Sequence, residues 1–108
     1  MATPGLKSTD LYRNHQIYAQ RTAEVTFPLT RMFNFFKTVL NDPPDEYIAI
    51  DTFVGIKLIT EENQWIHLHL GAEDDTLQIE VFDPNESVDK QGELIDFARN
   101  LAGTYLSE

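Results

Sequence analysis

Two stretches, Trp65-Ile66-His67-Leu68-His69-Leu70 and Thr76-Leu77-Gln78-Ile79-Glu80-Val81-Phe82, alternate apolar and polar side chains. A period of two marks a strand with one buried face. Ile66, Leu68 and Leu70 fall on one face of the first strand, and Leu77, Ile79 and Val81 on one face of the second. A loop over Ala72-Glu73-Asp74-Asp75 pairs Leu68 with Ile79 and Ile66 with Val81. It also pairs His67 with Glu80 and Trp65 with Phe82 on the opposite face. A slip of one residue would turn a whole apolar face the wrong way, so this register is strongly specified.

Working outward, Ile48, Ile50, Thr52, Val54, Ile56 and Leu58 keep one parity across residues 47–60. That permits a single long strand, with a bend allowed at Gly55. A loop over Glu61-Glu62-Asn63, with Asn63 in the left-handed region, then pairs Leu58 with Ile66 and Ile56 with Leu68. Arg21 to Phe27 alternates with Ala23, Val25 and Phe27 on one side, and reads as another strand. Leu29, Met32, Phe33, Phe36 and Leu40 recur at helical spacing, which predicts a helix over 28–41 with Pro28 in its first turn. Pro43 and Pro44 stop it. Ser87 is a predicted N-cap for a last helix whose stripe is Leu94, Phe97, Ala98, Leu101 and Tyr105.

The expected fold class is α+β: an antiparallel β meander of three to four strands with two helices packed on one face, in the order β-α-β-β-β-α. Residues 1–14 read as a flexible N-terminal arm and 15–108 as one α+β domain. The expected core is Phe33, Phe36, Leu58, Leu68, Ile79, Phe97 and Leu101.

Charge is segregated along the chain. Between Asp42 and Asp96 there are fifteen acidic residues against Lys57 and Lys90, within a whole-chain net charge of −10. Such a field repels nucleic acid and anionic membrane and attracts basic surfaces or cations. With residues 47–60 as one strand, Asp42, Asp45 and Glu46 share an end of the sheet with Glu73, Asp74 and Asp75. If 47–60 is itself a hairpin, the ends exchange. The chain has no cysteine, which excludes disulfides and thiolate chemistry. No segment reaches the apolar length of a membrane span, and the start has no secretory pattern, so the expected location is cytoplasmic.

No phosphate loop, nucleophile elbow or helical metalloprotease motif occurs, so the chain is expected not to be an enzyme. The expected function is a strongly acidic interaction module, of the kind of an adaptor, inhibitor, small chaperone or polyanion mimic, for a basic partner protein. Its expected binding residues are Glu73, Asp74, Asp75, Asp45 and Glu46 at the acidic loops, and the aromatic pair Trp65 and Phe82 on the outer sheet face. No cofactor is required. The alternative is a small calcium- or metal-binding protein. One ligand set is His67 and His69, which share a strand face, with Glu80 as third ligand. The other is the oxygen-rich loop Asp83, Asn85 and Asp89, which lacks the glycine and the terminal glutamate of an EF-hand loop.

Overall fold

The computed structural model describes residues 19–106. The arm expected over 1–14 lies outside them. The elements are β1 (Arg21–Thr26), α1 (Leu29–Asn41), β2 (Ile48–Asp51), β3 (Gly55–Ile59), β4 (Trp65–Leu70), β5 (Thr76–Phe82) and α2 (Val88–Leu106). The five strands form one antiparallel sheet in the order β1-β5-β4-β3-β2. The α+β class and the meander follow the sequence reading. The strand count and the element order do not, because residues 47–60 make two strands rather than one.

The central registers are those that parity requires. Leu58 faces Ile66 and Ile56 faces Leu68, while Leu68 faces Ile79 and Ile66 faces Val81. Asn63 takes the left-handed backbone, with φ at 67°. β1 closes the far side by pairing Ala23 with Ile79 and Val25 with Leu77.

The break at 52–54 is a tight turn. The Thr52 N–H donates to the Gly55 carbonyl at 2.9 Å, which joins β2 to β3. Their register sets Ala49 opposite Leu58 and Ile50 opposite Lys57, so even positions of β2 share a face with odd positions of β3. Ile48 and Ile50 therefore point to the outer face and are exposed. Gly55 is needed for a close approach rather than a bend: a Cβ there would run into the Leu68 carbonyl of β4.

Both helices cover the inner face, α1 over β2 and β3, and α2 over β5, β4 and β1. Ile56, Leu58, Ile66, Leu68, Leu77, Ile79 and Val81 are sealed between sheet and helices. The stripe of α1 differs from the one expected. Met32, Phe35, Phe36 and Val39 are buried, while Phe33 is 66% exposed. The apolar residues of this helix cover more arc than one interface can take, and aromatic partners choose the side. Phe35 lies 5.0 Å from Phe27 and 4.9 Å from Tyr105, ring centre to ring centre. Phe97 and Leu101 pack against the core from a partly buried position. Ser87 caps α2 as expected, its Oγ accepting the Lys90 N–H at 3.1 Å. Among the described residues no helix is long and apolar enough to cross a membrane.

Phe35→Ala should cost about 3–5 kcal/mol, whereas Phe33→Ala should cost less than about 1 kcal/mol, as measured by denaturant unfolding. Equal costs would mean that α1 faces the sheet differently. Tyr47 supplies a second prediction. It stacks on Phe97 at 4.9 Å, and its phenol is pushed above its ordinary 10.0, by burial first and by the Glu46 carboxylate second. The folded state thus holds this proton more tightly than the unfolded chain does. The resulting stabilisation is complete below pH 10.0 and is lost as pH rises through the folded value. Tyr47→Phe should flatten the alkaline fall in stability between about pH 9 and about pH 11 in chemical denaturation. A fall as steep as that of the parent would assign it to other groups.

Candidate functional site: an acidic sheet end and an outer-face histidine cluster

Because 48–59 is a hairpin, the acidic loops sort differently from the single-strand expectation. The segment leading into β2 (Asp42, Asp45, Glu46) joins the β3–β4 loop (Glu61, Glu62) and the β5–α2 connection with the first turn of α2 (Asp83, Glu86, Asp89) at one end of the sheet. Glu73, Asp74 and Asp75 lie at the opposite end, with Asp51. All of the first group except Asp83 are exposed. Two of them, Glu46 and Glu86, have positive φ of 74° and 58°. That region suits glycine or asparagine and costs other residues about 1 kcal/mol or more.

Two acidic residues prove to be structural. Asp75 ties the β4–β5 tip to the start of α1: its Oδ1 accepts the Leu29 N–H at 2.7 Å and its carbonyl accepts the Phe27 N–H at 2.8 Å. Pro28 provides no side-chain cap, so this distant carboxylate serves instead. Asp83 is 1% exposed. Its Oδ2 accepts the Ser87 N–H at 2.9 Å and its Oδ1 accepts from Gln64 Nε2 at 3.2 Å. Gln20 embraces its backbone, with Oε1 accepting the Asp83 N–H and Nε2 donating to its carbonyl. Asn85 and Asp89, the other members of the oxygen-rich loop set, are exposed.

On the outer face, β4 and β5 bring His67, His69 and Glu80 together. His67 Nδ1 lies 3.2 Å and His69 Nε2 3.4 Å from Glu80 Oε1. The two rings stack at 4.4 Å, as i, i+2 neighbours on a strand should. His67 Nε2 lies 3.1 Å from Thr52 Oγ1, and His69 Nδ1 2.9 Å from the Leu70 carbonyl. His67 is 3% exposed and the other two residues are partly buried. Beside them Trp65 stacks on Phe82 at 5.5 Å, and the Lys57 ammonium sits 4.4 Å over the Trp65 ring. Burial holds the Lys57 pKa below its ordinary value. Trp65 is only 8% exposed, and Phe82 is partly buried.

Two features escaped the sequence reading. β2 is the terminal strand of the sheet, and the bond from Thr52 to Gly55 sets the alternation along it. Residues 48, 50 and 52 spend their backbone groups on β3, while Ala49 and Asp51 direct theirs to the open edge. Next to the turn, Phe33, Phe36, Lys37, Phe53 and Leu70 line a groove of about 390 Å³, with Phe53 95% exposed. Neither Phe53 nor Val54 is a common turn residue, so nothing local announced the turn.

Asp75→Ala should cost about 1–2 kcal/mol, since it loses a helix cap and puts alanine at a φ of 61°. Asp74→Ala should be close to neutral, and Asp75→Asn should recover much of the loss in the same denaturation measurement. Equal effects at 74 and 75 would remove the capping role. Compared with models of known protein families and with curated proteins, the chain matches none.

Proposed function

We propose that this protein is a non-enzymatic interaction module that binds a basic, extended segment of a partner protein at its acidic sheet end. The observation that carries the reading is the convergence of Asp42, Asp45, Glu46, Glu61, Glu62, Glu86 and Asp89 at one end, from three separate connections. Two of these, Glu46 and Glu86, hold left-handed backbone at a cost that glycine would avoid. Acid kept at such positions suits a role beyond solubility. The adjoining edge of β2, with exposed Ile48 and Ile50 and outward backbone groups at Ala49 and Asp51, gives an extended segment a ladder to join. Steering by the acid and pairing along the edge divide the work between association rate and register.

The test uses a synthetic decapeptide alternating lysine and valine, with a glutamate–valine peptide as control. Binding of the basic peptide should weaken steeply with added salt, and the control should not bind. Reversing Asp45, Glu46, Glu61 and Glu62 to lysine should slow association about tenfold or more at low salt. Reversing Glu73 and Asp74 should have a smaller effect. Ala49→Pro removes an edge donor while sparing the β2–β3 ladder, and should weaken binding with the fold intact. Glu46→Gly and Glu86→Gly should stabilise the fold by up to about 1 kcal/mol while slowing association. Salt-insensitive binding, or equal losses from reversal at the two ends, would sink the proposal.

A further inference from the structure

The histidine cluster lies apart from the acidic end and does not depend on the reading above. Its decisive atom is His69 Nε2. The Leu70 carbonyl can only accept a hydrogen bond, so His69 Nδ1, 2.9 Å away, carries the ring proton. In the neutral form of the ring this leaves a bare lone pair at Nε2, facing Glu80 Oε1 3.4 Å away. That nitrogen is buried and has no hydrogen-bond partner among the described residues. A buried nitrogen lone pair facing a carboxylate oxygen is unfavourable unless a proton or a metal cation lies between them.

The remaining atoms complete a ligand set. His67 Nδ1 points at the same carboxylate oxygen from 3.2 Å, and the donor atoms of all three residues lie within 4.8 Å of one another. A tetrahedral ion with bonds of about 2.1 Å needs ligand atoms about 3.4 Å apart. The two nitrogen-to-oxygen separations, 3.2 and 3.4 Å, already match it. The far nitrogen of each ring is also oriented, His69 Nδ1 by the Leu70 carbonyl and His67 Nε2 by Thr52 Oγ1. Such outer contacts fix the tautomer and the aim of ligating histidines. The Thr52 hydroxyl can rotate to accept a hydrogen bond from the N–H that His67 carries at Nε2 once Nδ1 is a ligand.

We propose that His67 Nδ1, His69 Nε2 and a Glu80 carboxylate oxygen bind one divalent transition-metal ion of the zinc class, with water in the fourth position. Two imidazoles and one carboxylate suit this class and disfavour calcium and magnesium, which take oxygen ligands. One carboxylate leaves the site with a net positive charge, and the surrounding negative field offsets it. The Lys57 ammonium on the neighbouring strand is held over the Trp65 ring.

The experiment titrates the full chain with cobalt(II), followed by visible absorption, and then displaces cobalt with zinc. The expected result is uptake of one equivalent with the intense bands of a four-coordinate site. Zinc should abolish those bands, and a large excess of calcium should not. His69→Ala and Glu80→Gln should each weaken affinity by at least about a hundredfold, since each removes a ligand, and Thr52→Val by about tenfold. Circular dichroism establishes that each variant is folded. Should a ligand variant fail to fold, NMR of the parent decides: zinc must shift the ring resonances of both His67 and His69. The proposal is overturned if no cobalt bands appear at one equivalent, if calcium displaces the ion, if folded His69→Ala binds as the parent does, or if the two rings do not respond to zinc.

Discussion

The antiparallel pairing of β4 with β5 is the constraint on which the rest of the molecule depends. With Leu68 opposite Ile79 and Ile66 opposite Val81, five fully buried aliphatic side chains from these two strands, Leu77 among them, form the floor of the core. The same register sets His67 opposite Glu80 on the reverse face. Core and cluster are therefore two readings of one ladder, and a one-residue shift would destroy both. The remaining strands attach to this pair, β1 to β5 and β3 to β4.

Electrostatics and packing are kept in separate places. Apolar mass lies between the inner sheet face and the two helices, while most carboxylates lie in the loops at the sheet ends. Where a carboxylate does enter the interior, as at Asp83, both of its oxygens are occupied by hydrogen bonds. That is what a buried charge requires. The acidic ends can thus repel one another across the sheet without disturbing the core.

The central strands were legible because their alternation is uninterrupted and their hairpin loops are polar. Parity then leaves one consistent register. The β2–β3 hairpin was hidden for the opposite reason. Phe53 and Val54 form its tip without glycine, proline, asparagine or aspartate, and the apolar parity runs straight through them. That one omission reversed which acidic loops share an end. The face of α1 was ambiguous because Phe33 and Phe35 both suit an apolar stripe, and only Phe27 and Tyr105, distant in sequence, select Phe35. The trio of His67, His69 and Glu80 could be assembled from parity. The orphaned Nε2 could not, since it depends on a ring orientation set by the Leu70 carbonyl.

The Asp75 contact also bears on the order in which the chain acquires structure. Leu29 and Asp75 are 46 positions apart, and β1 pairs with β5 over a similar distance. The β4–β5 hairpin supplies both the cap and the edge in these contacts. The first described strand and the helix after it are therefore completed by partners far along the chain. Closing such long loops is entropically expensive and slows folding relative to chains rich in local contacts. It also makes the start of α1 and the hairpin tip a single cooperative unit, in which opening one end releases the other.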